Sequence, residues 1–473
     1  RRIGRLVVRC RRHILTHQLQ VVVSGKEADI GEDLVPALGK CPAPGQRGLS
    51  GTVVLDHLTA GRMSAFEQAR EALTDYPLHP YLEYYELQSR LSSADAEAVM
   101  AFRQRHADLP VADIVYYRWL KRQGQQRRWE TFLNHYEASS DAELRCYHLR
   151  ALFGTGTEKA ALKQVGELWL VAKSQPKACD PLFEIWIKRG YLTESMVWQR
   201  LGMALDANSR TLARYLQRFF ASPEVIPWAQ SYYNVHVSPG GLTQTSRFST
   251  DNRYSREVIA HGLVRLAGRD PEAAAQAWLS YQDSHSFDST DVQAIEAALL
   301  IGRAKEGVFP EHEPLAEGMP IDRLALAALG QQSWSDLGYW IEQLPESDRS
   351  DRRWQYWLAR SLNETTSRSE RARLTYAALA ENRDYYGFLA AEQLGRPIRL
   401  NHQPVPATAI EINQIRNVPG GRRATELVAV GDRGHARRAW DRRRPGRTDR
   451  ENARAAKLAT RIGWPAQAIR PAH

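Results

Sequence analysis

The chain has 473 residues, 43% of them apolar, enough for two or three ordinary domains or one long repeat array. Its formal charge of +10 is unevenly placed: residues 416–473 hold 15 Lys/Arg against 5 Asp/Glu, so the remainder is near neutral. A charge confined to one end, with Arg442, Arg443, Arg444, Arg447 and Arg450, reads as a solvated basic face or one that attracts an anionic polymer, and nucleic acid is not the expected partner. No apolar run approaches the roughly 18 residues needed to span a bilayer, so no transmembrane segment is expected.

Residues 1–62 are atypical. They hold short apolar runs with Gly and Pro and no long helical period, and they read as disordered or non-native sequence. The first residue is Arg1, not Met, and the following stretch lacks the uninterrupted apolar core of a signal peptide. The expectation is a sequence that starts inside a longer gene or from a misassigned start. From Met63 apolar residues recur at three- and four-residue spacing, the period of amphipathic helices. Phe66, Ala69, Ala72 and Leu73 share a face, Pro77 breaks the run, and Tyr81, Leu82, Tyr85 and Leu87 begin the next helix. Further helices are expected near 94–107, 111–123, 126–137, 141–153, 159–172, 180–190, 194–206 and 208–220.

Residues 237–251 form the clearest loop. Helices resume near 252–267, 270–283 and 288–303, the second opened by Asp270-Pro271, where Asp caps and Pro suits the first turn. A Pro/Gly-rich break at 308–320 precedes helices near 321–330, 333–344, 349–363, 368–380 and 383–395, and residues 396–408 form a linker. Strict alternation over a strand length is almost absent. The fold class is therefore all-α: a superhelical solenoid of stacked helical hairpins, with the main domain boundary in the 396–408 linker. The 13 Trp and 19 Tyr read first as wedges between helix pairs.

Few residues carry a chemical signal. Gly154-Thr-Gly-Thr-Glu-Lys159 lacks the phosphate-loop frame and reads as a helix end and turn. His13 and His17 stand four apart, but two ligands do not make a metal site. Neither a metal nor a cofactor is expected. No Gly-x-Ser-x-Gly turn occurs. Glycosidic cleavage needs a buried, proton-holding carboxyl. Glu83 and Glu86, beside Tyr81, Tyr84 and Tyr85, read as a solvated helix face; Glu194-Ser195 and Glu346-Ser347 read as capping and turn chemistry. The four cysteines, Cys10, Cys41, Cys146 and Cys179, have no zinc spacing. Cys146 and Cys179 lie in helical regions, and two states stand open: a bridge in an oxidising compartment, or two buried thiols.

Four segments together resemble the soluble lytic transglycosylases of Gram-negative bacteria. They are Asp75-Tyr-Pro-Leu-His-Pro-Tyr-Leu-Glu-Tyr84; Glu167-Leu-Trp-Leu170 with Ser174-Gln-Pro-Lys-Ala-Cys-Asp-Pro-Leu-Phe183; Trp354-Gln-Tyr-Trp357 with Asp384-Tyr-Tyr-Gly-Phe-Leu-Ala-Ala391; and Gly463-Trp-Pro-Ala-Gln-Ala-Ile469. The resemblance implies a helical ring, the U-domain, over 63–395, and an incomplete L (linker) domain over 404–473. It implies a periplasmic, monomeric protein acting on peptidoglycan glycan strands. In the family a lysozyme-like domain follows and cleaves the β-1,4 bond between N-acetylmuramic acid and N-acetylglucosamine, leaving a 1,6-anhydro end. Its Gly-Leu-Met-Gln-Ile-x-Pro and Ala-Tyr-Asn-Ala-Gly motifs do not occur here, and Glu194-Ser195 falls within the U-domain, so no catalytic residue carries over. The resemblance also implies a Cys146–Cys179 disulfide. The expected function is the non-catalytic scaffold and linker of such an enzyme; the alternative is a helical-repeat adaptor for a protein partner.

Overall fold

The computed structural model describes residues 20–23, 26–29, 51–156, 158–366, 369–401, 407–442 and 447–469. The His13/His17 pair, Cys10, Cys41 and residues 443–446 of the arginine-rich stretch lie outside these. Among the described residues, apart from a two-stranded antiparallel hairpin, Gln20–Val23 with Lys26–Asp29, every regular element is helical. Helix begins earlier than the periodicity indicates. Gly51–Thr59 is helical, and Val54 packs with Phe66, Ala69 and Leu82 in a small core of its own. Nine residues with one apolar face are too short for the period to register, and burial against the following helices holds them. The chain divides into two compact units, residues 1–122 with 405–473, and residues 123–404.

The second unit is a nearest-neighbour array. Helix Arg253–Ala267 packs on Pro271–Ser284 and Ser289–Lys305, Ser289–Lys305 on Ile321–Gln331, and that on Trp334–Glu342, which meets Arg352–Thr365. Each helix buries its apolar stripe on its chain neighbours, the architecture of a solenoid. Local chemistry sets the starts. Asp270 accepts from the Ala273 amide at 2.9 Å with Pro271 behind it, and Asn252 and Ser255 form a reciprocal capping box. Gly302 permits close approach: a methyl there would collide with the Ala267 carbonyl. Aromatic side chains wedge the pairs apart, as Trp198 does against Phe220, Tyr232 and Tyr254, its indole N–H donating to Glu257 at 2.6 Å.

The stretch 237–251 is more ordered than a plain loop. Two 3-10 turns, Pro239–Thr243 and Thr245–Phe248, bury Leu242 and Phe248, and Tyr281 donates its hydroxyl to the Leu242 carbonyl at 2.8 Å. Its Gly and Pro set the turns, while its two apolar residues join the core. Buried Arg200 secures another connection. It donates to the carbonyls of Val171 (3.1 Å) and Lys173 (3.3 Å) and stacks over Trp169. Cys146, in the helix Ala142–Gly154, and Cys179, in the turn Lys177–Cys179, are joined by an S–S bond with Cα atoms 5.0 Å apart.

The first unit draws on both ends of the chain. Its core combines Leu78, Tyr81, Tyr84, Phe102 and Val115 with Ile412, Leu427, Trp440, Leu458 and Trp464. The later part consists of Ala409–Asn417, Pro419–Ala429, Arg433–Asp441, Asp449–Arg461 and Pro465–Ile469. Two of these helices open with the same Thr-x-x-Glu capping box, Thr408 with Glu411 and Thr448 with Glu451. Helix Arg433–Asp441 has its C-cap at Arg442, and the next described helix opens at Asp449; the Pro445-Gly446 break lies outside the described residues.

Candidate functional site

The carboxylates singled out in the sequence are all committed to structural partners. Glu83 is bonded by Arg105 at 2.9 Å and faces the His106 ring at 3.1 Å; Glu86 is held between Arg70 and Arg90. Glu194 clamps a turn: one oxygen accepts from the amides of Ala221 and Ser222, each at 2.9 Å, and the other from the Ser222 hydroxyl at 2.6 Å. The Ser222 hydroxyl and amide hold its carboxyl below the usual range, opposite to what a general acid requires. Glu346 pairs with Arg349 within one exposed turn. The Gly154–Lys159 stretch closes one helix and opens the next, with Gly156 in the left-handed region at φ +86°. None of these arrangements offers a proton donor facing an open cleft. Among the described residues no group of three His, Cys, Asp or Glu side chains is placed to hold a metal.

What the structure does build from the Asp75–Tyr84 segment is a polar lock inside the first unit. The Pro80-containing helix His79–Ser89 presents Tyr81, Tyr84 and Tyr85 around the ring of His435, with centroids 5.7, 5.5 and 6.1 Å away. His435 Nδ1 lies 2.6 Å from Asp432, the cap of helix Arg433–Asp441, and Tyr85 donates to the same carboxylate at 3.0 Å. Burial pushes the Asp432 carboxyl up, but the His435 ring, the His435 amide and the Tyr85 hydroxyl outweigh it and bring it down to about 2. Tyr76 donates to Glu426 at 3.3 Å, and burial followed by that carboxylate raises its phenol well above the usual value. Arg423 pairs with Asp108 at 2.6 Å, and Arg442 reaches Asp113 at 3.3 Å and the Ala107 carbonyl at 2.6 Å. These bonds fasten residues 423–442 to residues 76–113. The sequence announces the tyrosines but not their partners, because residues some 350 positions apart share no local pattern.

Two shallow depressions mark the surface. One, of about 440 Å³, is lined in the second unit by Ser350, Asp351, Arg352, Asp384 and Tyr386, with Arg352 bonded to Asp384 at 2.8 Å. The other, of about 580 Å³, is lined in the first unit by Pro110, Gly434, Arg437, Arg438, Asp441 and Arg442. Among the described residues no helix is long and apolar enough to cross a membrane.

The described residues are stacked helices, and in the first unit the late helices share one core with the early ones. Residues 414–472 match the model of the soluble lytic murein transglycosylase L domain. A solved lytic transglycosylase from Pseudomonas aeruginosa, an inactivated variant, superposes with a TM-score of 0.72 at 32% identity, covering 88% of this chain and 70% of that one. The Escherichia coli 70-kDa soluble lytic transglycosylase shares the fold, with a TM-score of 0.72 at 24% identity, over 88% of this chain and 68% of that one. The soluble lytic murein transglycosylase of Salmonella typhimurium is 26% identical over 412 residues, 85% of this chain. A second family model, cucumovirus coat protein, matches residues 157–235, which here are stacked helices of the array. The chain belongs to the soluble lytic murein transglycosylase family. It spans 63% of the length of its curated relatives from Salmonella typhimurium and Escherichia coli.

Proposed function

We propose that this chain is the scaffold and linker portion of a periplasmic lytic transglycosylase, with a U-domain over 63–395 and an L-domain over 404–473. The supporting observation is the shared core that joins residues 78–115 to the L-domain match at 414–472. The role would be to hold murein glycan strands and to position a lysozyme-like domain. In the proposed reaction a glutamic acid protonates the glycosidic oxygen leaving toward N-acetylglucosamine. The muramyl C6 hydroxyl then attacks C1 as its proton passes to the same carboxylate, closing a 1,6-anhydro ring without water. The glutamate would belong to that further domain, since Glu83, Glu86, Glu194 and Glu346 are committed as described. The Cys146–Cys179 bridge supports an oxidising compartment, and the chain is proposed to act as a monomer without cofactor.

The test is a pull-down on isolated sacculi with analysis of the released muropeptides. Retention without 1,6-anhydro product is expected. Release of anhydro-muropeptides by this chain alone would overturn the scaffold assignment. Specific capture of a protein with no retention on sacculi would favour the adaptor reading.

A further inference from the structure

The depression beside helix Arg433–Asp441 has an uneven distribution of charge. From Arg433 to Arg442 there are four arginines, one histidine and one aspartate. Arg442 is anchored by Asp113 and the Ala107 carbonyl, and Arg437 leans on Asp441 at 3.5 Å. Arg438 is exposed, and its guanidinium donates to none of the described residues. Gly434 lies one turn before it on the same helix, and a methyl added there would meet nothing closer than Asp432 Oδ1 at 3.7 Å. An exposed guanidinium, whose charge also reaches the Tyr84 phenol, therefore stands between two arginines paired with carboxylates, above a floor kept low by glycine.

We propose that this depression is a carboxylate-binding site for murein, taking the acid groups of the stem peptides. The inference rests on the family reading above and names the chemistry of its contact. A guanidinium grips a carboxylate through two parallel N–H···O bonds, which a neutral sugar cannot match. Asp441 in the wall opposes a dianion more than a monoanion, which favours carboxylates over phosphomonoesters. The shallow, open shape suits a polymer lying across the surface, and the neighbouring arginines give that polymer an attractive field. Removing residue 438's charge and filling the space above residue 434 are independent ways to disable the site. Both positions are exposed and helical, so neither change threatens the core.

The experiment measures binding of the whole chain to soluble muropeptides and to the same muropeptides with their carboxyls amidated. Chitooligosaccharide and duplex DNA serve as neutral and phosphate controls. Amidation, Arg438→Ala and Gly434→Leu should each weaken binding about fivefold, the scale of an exposed charge-assisted pair, with unchanged helical circular dichroism. Gly434→Leu keeps every charge, so its effect separates a shaped site from general attraction. Muropeptide binding that ignores all three changes would overturn the site and leave the murein reading standing. No binding to sacculi or muropeptides by the unmodified chain would overturn the murein reading and the site together. Tighter binding to DNA than to muropeptides at 0.15 M salt would reassign the surface to phosphate and overturn the proposal.

Discussion

The two units are stabilised by different means. Residues 123–404 bury each helix on its neighbours in sequence, so contacts form locally and one disulfide spans only 33 positions. Residues 51–122 and 407–469 must find each other across the chain, and they do so through a shared core edged with the Tyr-His-Asp lock and paired arginines. Local contacts carry little loop-closure cost, whereas the long-range unit gains nothing until both of its segments are in place. The difference predicts that damage to the first unit is all-or-none and damage to the second is graded.

Trp440→Ala is the strongest way to break that contrast. Trp440 is 2% exposed and meets Trp464 edge-on at 5.8 Å, in the core where early and late helices join. Its removal should cost about 3–5 kcal/mol. Limited proteolysis should then release the segment after residue 405 while 123–404 stays resistant. Uniform resistance would show that the late helices are not held by this core. Opening the Cys146–Cys179 bridge is the matching change in the second unit. Cys179→Ser should cost about 3–4 kcal/mol in the chain-entropy model for a 33-residue loop. Mass mapping of a non-reduced digest checks the bridge itself, and two free thiols would remove the prediction.

Acid should separate the units by pH window. His236 is fully buried, its ring nitrogens 3.1 Å from His261 and from Asn208, and Arg265, Arg210 and Asp206 are its nearby charges. Burial first, then Arg265 and His261, bring it down to about 4 from the ordinary 6.5. The unfolded chain therefore binds the extra proton first. His236 contributes fully above pH 6.5, and the contribution is lost as pH falls through 4. Asp432 in the first unit is held at about 2 against 3.8, so its contribution persists to lower pH and is lost between those values. The loss of stability on acidification from pH 6.5 to 4 should shrink in His236→Asn and remain in Asp432→Asn. Equal behaviour of the two variants across that range would refute the assignment.

Much of the array was legible in the sequence because a solenoid is built from local pattern. The helices at 252–267, 270–283 and 288–303 and the break near 308–320 lie where periodicity, caps and Pro/Gly place them. Helix Gly51–Thr59 was not, being only nine residues long. The order within 237–251 was not, because burial of Leu242 depends on Tyr281 and on helices on both sides. In the candidate sites the tyrosines of 76–85 stood out as a motif. Their meaning did not, since Asp432 and His435 reach them only through tertiary folding. Arg438 was legible only as charge, because its exposure beside two carboxylate-paired arginines is a fact of geometry.

Smaller effects refine the contrast. Glu194→Ala strips three hydrogen bonds from the turn at 221–222 and should cost about 1–2 kcal/mol, visible as faster amide exchange at Ala221 and Ser222. Protection unchanged at both amides would show that the turn holds without the clamp.

The smallest effect expected is at Arg442 and Asp113. Both side chains are about 40% exposed and 3.3 Å apart, so water screens the pair. Arg442→Ala should cost less than about 1 kcal/mol, and a double-mutant cycle with Asp113→Ala should give a coupling of a few tenths. Arg442 also donates to the Ala107 carbonyl and Asp113 also accepts from Arg103 at 3.2 Å, and each of these bonds is lost in a single variant but cancels from the coupling. A coupling above about 2 kcal/mol would place this pair among the forces that hold the first unit together. The unit would then depend on charge at its rim as well as on Trp440 at its centre, and its stability would fall steeply with added salt.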